Sequence, residues 1–314
     1  MLTINNLFKK ILVPLDGSKL SENALGPALT LAKAAQAELF LISVPIVRHV
    51  MVMPEYSGYA TMLPEQSLED SRHDFKEYLA HLKESRMPQQ MRVSSEVLEG
   101  DEASVIVDRA LAEQADLIVM ATHGRSGLSR WMMGSVTEKV LQQAHCPVLA
   151  VRSDKPIERI LITLDGSAAS EASLEPGLLL AQAMDAEVTL LQVQTGKDYV
   201  HQEEINRLDA VEQGLGARLQ DSVYYAAEAY LGYLKARYEP LLNDDTVLKT
   251  AVVDGQPARR IIQYIDDNDI DLVVMATHGR TGLKRWLYGS VTERVLRGAE
   301  CAKFIMRPPQ HLLS

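Results

Sequence analysis

Two glycine-punctuated loops carry the residues of this sequence that are best suited to chemistry. The first runs from Met120 to Leu141 (MATHGRSGLSRWMMGSVTEKVL) and the second from Met275 to Leu296 (MATHGRTGLKRWLYGSVTERVL), with 17 of 22 residues identical. Each follows an apolar run typical of a β-strand and leads into Ser-Val-Thr-Glu, which predicts the start of a helix. Because the N–H groups at a helix N-terminus attract anions, the pattern predicts a phosphate site in each loop.

A carboxylate is predicted to face each loop from another strand. Asp16 follows the apolar run Ile11–Leu15, and Asp165 follows the matching run Ile160–Leu164. Such runs are typical of buried parallel strands, and α/β sheets bind ligands beyond the carboxyl ends of their strands. If the first and fourth strands of a unit are neighbours, each aspartate shares one crevice with one loop. It can then accept hydrogen bonds from ribose hydroxyls, which makes nucleotide phosphate the leading hypothesis.

The first loop offers a phosphate several donors. Gly124 and Gly134 let the backbone approach an anion closely, and the N–H groups of Ser135–Thr137 lie at the predicted helix start. Arg125 can add a charge-assisted hydrogen bond. Val44, at the end of the second predicted strand, can flank an adenine ring.

The same residues also have structural interpretations that require no ligand. Ser135-Val-Thr-Glu and Ser290-Val-Thr-Glu have the spacing of a capping box, which explains both serines as helix caps. The glycines can serve tight turns with positive φ, and Asp16 before Gly17 can be ordinary turn chemistry. These interpretations stay open beside the phosphate hypothesis.

Catalysis and metal binding are the less favoured interpretations. His123 and His278 lie in the loops, yet no nucleophile is spaced with either in a recognisable order. Trp131 and Trp286 have apolar neighbours and are better explained by packing than by base stacking. The carboxylates form no defensible metal-ligand pattern, and the loops lack the lysine of a Walker-type site, so a slow ATP hydrolase is the weaker hypothesis.

The elements that position these residues occur twice along the chain. Apolar β-type runs alternate with helical periodicity, which predicts a βαβαβαβαβ unit with a parallel sheet and helices on both faces. The predicted first helices, Ser21–Ala35 and Ser170–Met184, contain Pro27 and Pro176, where a proline should kink a helix. The other predicted elements are the second strands Glu38–Val44 and Glu187–Val193, the fourth strands Asp116–Met120 and Asp271–Met275, an amphipathic helix on Ala103, Ile106, Val107, Ala110 and Leu111 with its counterpart on Ala258, Ile261, Ile262 and Ile265, and the closing strands Cys146–Arg152 and Cys301–Arg307.

Two segments do not match between the copies. Residues 45–67 have no clear period and predict a loop before a helix near Leu68–Lys83, whereas residues 203–242 predict a longer helical stretch. Surface segments tolerate such divergence better than sheet strands do. A third hypothesis is therefore a nucleotide-free interaction scaffold, whose divergent segments 45–67 and 197–242 contact partner proteins.

Composition limits the class of protein. A chain of 314 residues with 46% hydrophobic content is long enough for two domains, each with its own core. The net charge of −10 argues against a general nucleic-acid or anionic-membrane partner. Cys146 and Cys301 hold matching positions and are too few for a disulfide scaffold or a zinc cluster. With no signal-peptide pattern and no apolar run near the ~20 residues of a membrane span, the expected location is the cytoplasm.

The pattern Gly124-x9-Gly134-Ser135-Val136-Thr137, preceded by a strand and paired with Val13-Pro14-Leu15-Asp16, resembles the universal stress protein family. Its repetition resembles the tandem form of that family. The resemblance implies two Rossmann-like (adenine-nucleotide α-hydrolase-like) α/β domains, at 1–153 and 157–309, each a five-stranded mostly parallel sheet with helices on both faces. It also implies ATP binding, with or without Mg²⁺, and a pseudo-dimer of the two domains through Val148–Val151 and Phe304–Met306. A further homodimer stays open.

The resemblance also assigns site residues position by position. The family motif is Gly-x2-Gly-x9-Gly-[Ser/Thr], and Ala121 and Ala276 replace its first glycine, so that a Cβ there either crowds a phosphate or is accommodated. The adenine and ribose side would involve Pro14, Leu15, Asp16, Val44 and Met120, with Thr163, Leu164, Asp165, Val193 and Met275 in the second copy. The phosphate side would involve Ala121, Gly124, Gly134, Ser135, Val136 and Thr137, with Ala276, Gly279, Gly289, Ser290, Val291 and Thr292 in the second copy, and the loop arginines Arg125 and Arg280. The leading hypothesis is thus a cytoplasmic ATP-binding stress-response regulator that is not an enzyme.

Overall fold

In a computed structural model of the protein, the described strands form one continuous ten-stranded sheet. The structure describes residues 4, 7–45, 65–122, 133–195, 215–277 and 289–309, with the backbone alone for 65–68 and 215–220. The first half contributes β1 (Lys10–Pro14), β2 (Glu38–Ser43), β3 (Val93–Val97), β4 (Leu117–Ala121) and β5 (Val148–Val151). The second half contributes β6 (Arg159–Leu164), β7 (Glu187–Gln194), β8 (Leu248–Asp254), β9 (Leu272–Ala276) and β10 (Ala302–Met306).

Strand order is the same in both halves. The sheet runs β3-β2-β1-β4-β5-β10-β9-β6-β7-β8, and every pair within a half is parallel. The first strand of each half therefore pairs with both the second and the fourth, as the shared crevice requires. The predicted five-stranded parallel units are confirmed.

The two halves join through their last strands. β5 and β10 pair antiparallel, with Phe304 opposite Leu149 and Ile305 opposite Val148. The side chains of Phe304 and Leu149 are fully buried, so this seam belongs to the core of the molecule. The predicted pairing of Val148–Val151 with Phe304–Met306 is confirmed.

Helices cover both faces of the sheet, as predicted. Apolar residues of α1 (Leu25–Ala35), α2 (Glu65–Arg86), α6 (Leu174–Met184) and α7 (Leu215–Tyr238) pack in one hydrophobic cluster. Those of α3 (Glu102–Ala112), α4 (Ser135–Gln143), α8 (Pro257–Asp267) and α9 (Ser290–Gly298) pack in a second cluster, on the opposite face. The short helix α5 (Ala168–Glu171) lies between β6 and α6.

Two aspartates hold the central strands in register. Asp116 Oδ2 accepts hydrogen bonds from the backbone N–H groups of Lys9 (2.7 Å) and Lys10 (2.9 Å). Asp271 Oδ2 does the same for Glu158 (3.0 Å) and Arg159 (2.9 Å). Each aspartate stands directly before the fourth strand of its half, so it ties that strand to the beginning of the first. The predicted strand starts at Asp116 and Asp271 thus shift by one residue.

The two predicted first helices are each observed in two pieces, and the prolines lie in the first turn of the second piece and not at a kink within one helix. A 3₁₀ turn over Ser21–Ala24 precedes α1, and α5 precedes α6. Pro27 and Pro176 are the third residues of α1 and α6. The N–H groups of a first turn have no partner within the helix, so a proline there removes no intrahelical bond.

Three other predictions differ from the structure in detail. Leu111 is 60% exposed, because its position lies at the margin of the apolar stripe that buries Ala103, Ile106 and Ala110. The strands β3 and β8 lie in regions to which the sequence assigned no strand. The helix predicted over 203–242 is observed as α7 and a 3₁₀ turn over Glu239–Leu241, while 203–214 lie outside the described residues.

Candidate functional site

A crevice opens in the second half at the carboxyl ends of β9, β6 and β7. Its volume is about 280 Å³, and its walls come from these three strands, from the N-terminus of α8 and from the N-terminus of α9. It brings together all the predicted site residues of the second copy that the structure describes. They are Thr163, Leu164, Asp165, Val193, Met275, Ala276, Gly289, Ser290, Val291 and Thr292. Gly279, Arg280 and His278 lie outside the described residues.

Sequence reasoning missed part of the crevice wall. Gln194 is the last residue of β7 and Thr195 follows it, and Pro257 and Ile261 belong to the first turns of α8. Position alone could have found these residues, because all of them lie at the same edge of the sheet as Asp165.

The first half positions its predicted residues in the same way. Strand β1 ends at Pro14 between β2 and β4, and the N–H of Leu15 donates to the carbonyl oxygen of Ile42 at 2.8 Å. The carboxyl ends of β1, β2 and β4 therefore lie side by side. They carry Pro14, Leu15, Asp16, Val44, Met120 and Ala121, with Gly134, Ser135, Val136 and Thr137 at the start of α4. Gly124, Arg125, His123, Trp131 and Trp286 lie outside the described residues.

The same two hydrogen bonds fix the loop-to-helix junction in both halves. The N–H of Gly134 donates to Thr122 O and that of Gly289 to Thr277 O, each at 2.8 Å. One turn later, the hydroxyls of Thr137 and Thr292 donate to the strand carbonyls of Ala121 and Ala276, each at 3.0 Å. Both threonines are buried. Their hydroxyl groups thus anchor the helix to the strand, and the backbone N–H groups remain for an anion.

The capping-box interpretation of the serines is wrong. The N-cap residues of α4 and α9 are Gly134 and Gly289, so Ser135 and Ser290 are the first helical residues and are exposed. A serine caps a helix only from the N-cap position, where its oxygen reaches the N–H two or three residues later. The N-cap glycines supply no side-chain acceptor to the first turn.

The tight-turn interpretation is also wrong for these two glycines. Gly134 has φ −61° and Gly289 has φ −55°, which any residue adopts. A Cβ on Gly289 would lie 3.5 Å from Thr277 O, an ordinary contact. Conformation therefore demands glycine at neither position, and at Gly289 the described residues do not crowd a Cβ. In contrast, Gly17 and Gly166 have φ near +80° and do need it.

The turn interpretation of the aspartates is confirmed. Asp16 Oδ1 accepts hydrogen bonds from the N–H (2.9 Å) and the hydroxyl (2.6 Å) of Ser18. Asp165 Oδ1 does the same with Ser167, at 3.0 and 2.6 Å. These bonds set the orientation of each carboxylate at the edge of the sheet. Asp165 also lines the crevice, so its turn role is compatible with a ligand role.

A tyrosine links each unmatched helix to the turn that follows the aspartate. Tyr78 of α2 donates its hydroxyl to Glu22 Oε1 at 3.3 Å, and Tyr230 of α7 donates to Glu171 Oε1 at 2.8 Å. Burial, followed by the charge of Glu22, raises the pKa of Tyr78 above its ordinary value, so this phenol stays protonated. The two glutamates hold matching positions, but the tyrosines lie in segments that cannot be aligned by sequence.

The two cysteine thiols are buried and protonated, which does not suit a nucleophile. Cys146 and Cys301 are free and buried; Cys146 lies two residues before β5, and Cys301 directly precedes β10. Burial raises the pKa of Cys146 to about 12 and raises that of Cys301 as well. Within the described ranges, no three acidic, histidine or cysteine side chains cluster as a metal site would require. None of the helices in this part of the chain has the length and apolar character needed to cross a membrane.

Comparisons with known proteins agree with this architecture. A universal stress protein of Methanocaldococcus jannaschii is 38% identical over 150 residues, which cover 48% of this chain and 85% of that protein. One from Mycobacterium tuberculosis is 29% identical over 223 residues, covering 69% of this chain and 70% of its own.

Solved structures share the whole fold. A functionally unknown protein of Pseudomonas aeruginosa has a TM-score of 0.64 at 18% identity, with 98% of this chain and 95% of that one covered. A universal stress protein of Archaeoglobus fulgidus has a TM-score of 0.62 at 17% identity, with 95% and 98% covered. The family model described as "Universal stress protein family" matches residues 7–152 and again residues 156–307. The chain therefore belongs to the universal stress protein family and carries two of its domains in tandem.

Proposed function

We propose that the protein binds ATP in the crevice of each half and acts as a cytoplasmic stress-response regulator, not as an enzyme. The observation that carries this proposal is the N-cap glycine of α4 and α9. Each has a backbone conformation that any residue adopts, at a helix start without a side-chain cap, and among the described residues a Cβ on Gly289 would meet only an ordinary contact. A phosphate approaching the backbone N–H groups would explain the missing Cβ.

The crevice in the second half has the extent of a nucleotide. Its wall crosses three neighbouring strand ends, from β9 under α9 to β7 under α8. The ends of β9 and β7 are therefore two strand spacings apart, which is about 9–10 Å. A base beside Val193 and a ribose beside Asp165 would place phosphates at Gly289 and Ser290. The 280 Å³ volume is close to the lower end of ordinary ligand pockets, so outer phosphates would extend into the mouth.

The alanine that replaces the first motif glycine is compatible with this proposal. Ala276 lines the crevice with 8% of its surface exposed, and the cavity is open beside it. Ala121 is 9% exposed at the matching strand end. A methyl group at this position narrows the floor of the crevice without filling it.

The remaining assignments follow from the two-copy symmetry. The domains would extend over 1–153 and 157–309, and the adenine, ribose and phosphate residues would be those assigned from the sequence in each copy. Gly124, Arg125, Gly279 and Arg280 would complete the phosphate side. Any Mg²⁺ would be bound through the phosphates of the nucleotide.

The test is a titration of the purified protein with ATP by calorimetry, combined with measurement of the nucleotide released on denaturation and of phosphate production. We expect two ATP per chain and no sustained hydrolysis. Gly134→Leu and Gly289→Leu, whose side chains would enter the crevices, should each remove one site, and the double variant both.

The matched control is Gly232→Leu, because Gly232 is exposed on α7 and a Cβ there has no neighbour within 4 Å. It should bind two ATP. Absence of binding up to millimolar ATP would overturn the proposal in favour of a nucleotide-free scaffold. Turnover that is lost in Ser135→Ala plus Ser290→Ala would contradict the non-enzymatic part.

A further inference from the structure

The long helix α7 presents an uncharged face to solvent. Its inner face packs on β7 and β8 and buries Ala227, Leu231 and Leu234. The residues on the opposite side recur at the helical spacing of three and four, and all of them are exposed. This outer face is about 21 Å long. It consists of Ser222, Tyr225, Ala226, Ala229, Gly232, Tyr233 and Ala236.

The outer face of α7 differs from that of an ordinary surface helix. Tyr225 is 66% exposed and Tyr233 is 61% exposed, and no charged side chain lies between them on this face. The helix at the equivalent place in the first half, α2, has the ordinary pattern, with Asp70, Glu77 and Glu84 on its exposed side. Contiguous exposed apolar surface marks an interaction site, so α7 is the candidate.

A glycine in the middle of this face supports the same conclusion. Gly232 lies in the interior of α7, where glycine destabilises a helix relative to alanine. Among the described residues, no atom lies within 4 Å of a Cβ built on Gly232. The packing of the chain itself therefore does not require the missing side chain. A second helix on this face would use the space, because glycine lets a large side chain approach the backbone closely.

The outer face is complementary to itself about a two-fold axis at Ala229. Tyr225 and Gly232 lie two turns apart on one flank of the face, and Ala226 and Tyr233 lie two turns apart on the other. When two copies of the helix pair antiparallel, equal flanks meet. Tyr225 then lies over Gly232 of the second copy, and Tyr233 lies over Ala226 of the second copy. Each large side chain thus meets a small residue.

Charges at the margin of the face fit the antiparallel pairing. Asp221 and Lys235 lie on the same flank near opposite ends of α7, so each Asp221 meets Lys235 of the second copy. Lys235 also pairs with Glu239 of its own chain at 3.4 Å. A parallel pair would bring like charges together at each end. Glu228, on the same flank beside the axis, would lie near its own copy and oppose the pairing weakly.

We propose that two copies of the chain associate through the outer faces of their α7 helices, antiparallel about Ala229. The four tyrosines supply most of the buried area. An interface of one helix from each copy lies near the low end of specific interfaces. The association is therefore expected in the micromolar range of protein concentration. It does not depend on the nucleotide-binding function proposed above.

The test is sedimentation equilibrium of the full-length chain without nucleotide, over the micromolar range. The mass should rise from that of one chain to that of two. Tyr225→Asp puts a charge in the interface, and Gly232→Leu fills the place of the partner's tyrosine, so both should stay monomeric. Both positions are exposed, and circular dichroism should show an unchanged fold. Glu77→Lys, on the exposed side of α2, is the matched control and should associate like the unmodified chain.

The charged residues test the register. Asp221→Lys should weaken the association by about tenfold, because both intermolecular ion pairs are replaced by repulsion. Adding Lys235→Glu should restore it to within about threefold of the unmodified chain. Glu228→Gln should tighten it by about threefold, because a like-charge contact is removed. Failure of the double variant to recover would overturn the antiparallel register.

A cross-link tests the position of the axis. Helix axes 8–10 Å apart would place the two Cα atoms at position 229 within reach of a disulfide. Ala229→Cys should therefore link two chains on oxidation with oxidised glutathione, and Ala80→Cys, exposed on α2, should not. Cys146 and Cys301 are buried and do not compete. A chain that stays monomeric throughout, or a dimer that survives both Tyr225→Asp and Gly232→Leu, would overturn the proposal. ATP binding by Gly232→Leu is expected in either case, so the two proposals fail separately.

Discussion

The two halves are alike at the helix start that would hold phosphate and differ at the start of the helix that precedes the fourth strand. The N–H groups of the N-cap glycines donate to the carbonyl oxygens of Thr122 and Thr277, both at 2.8 Å. The hydroxyls of the helix threonines Thr137 and Thr292 donate to the carbonyl oxygens of the strand-end alanines, both at 3.0 Å. By contrast, α3 begins at Glu102 and α8 begins at Pro257, and both residues are partly exposed. A helix start that several hydrogen bonds tie to a strand is constrained, whereas a partly exposed first residue is freer to diverge.

A second difference lies beside the seam, at the ends of the two matched helices. After α9, Lys303 is buried and its Nζ donates to the carbonyl oxygens of Ala299 (2.9 Å) and Cys301 (2.8 Å). The matching residue of the first half is Val148, and there Arg307 of the other half donates to Gln142 O at 3.0 Å. One helix end is thus capped from within its own half and the other across the seam.

The largest effect is expected at the seam itself, where matched residues differ in size. Phe304→Ala should lower the free energy of unfolding by about 3–5 kcal/mol, because a fully buried aromatic ring is lost. Leu149→Ala, its partner across the seam, should cost about 2–5 kcal/mol and less than Phe304→Ala. Denaturant unfolding followed by circular dichroism measures both. The exposed Leu111→Ala is the control, and losses below about 1 kcal/mol in both seam variants would show that the halves are stable without this contact.

A smaller effect, and one that depends on pH, is expected from Lys303. Burial lowers the pKa of Lys303 below its ordinary 10.5. Below the pKa that Lys303 has in the folded state, its ammonium group is charged and its burial costs free energy. Between that pKa and the higher pKa of the unfolded state, the folded protein has lost this proton while the unfolded chain still holds it. Stability should therefore rise with pH between the folded pKa and about 10.5.

The comparison variant is Lys303→Met, which places an apolar residue at the position that Val148 occupies in the first half. Between the folded-state and unfolded-state pKa values of Lys303, the free energy of unfolding of the unmodified chain should rise relative to that of Lys303→Met. The expected rise is up to about 1.4 kcal/mol per pH unit. Thermal unfolding across alkaline pH measures the difference, with Val148→Met as control. Parallel curves for the unmodified chain and Lys303→Met would contradict the prediction.

The smallest effect is expected at the N-caps of the matched helices α3 and α8. The carboxylate of Asp101 caps α3, but Gln256 makes no side-chain cap on α8. Asp101→Ala should cost about 1 kcal/mol, and Gln256→Ala should be nearly neutral. The hydrogen bonds from Ser104 also lower the pKa of Asp101, so its contribution should be lost as pH falls through the lowered pKa. Thermal unfolding at neutral and acid pH measures this, and equal costs in the two halves would refute the difference.

The sequence predicted the sheet well because its signals are local. Four apolar runs in each copy became strands at or near their expected bounds, while β3 and β8 were not assigned, and the position of Asp16 after the first run placed it at the ligand edge. The helix starts were predicted less well. Pro27 was expected to kink a helix, but α1 begins only two residues before it, and the capping interpretation of Ser135 failed because Gly134 holds the N-cap position.

By itself the sequence determined the duplication, the parallel units and the chemistry at their strand ends, because these follow from residue period and residue type. Only the tertiary structure decided which groups are satisfied by contacts far away in the chain. Asp116 bonds to the N–H groups of Lys9 and Lys10, and Arg307 to the carbonyl of Gln142, each across more than 100 positions. The place of Pro257 in the crevice wall emerged in the same way, since the start of α8 becomes part of the crevice only because the distant strand β7 ends beside it.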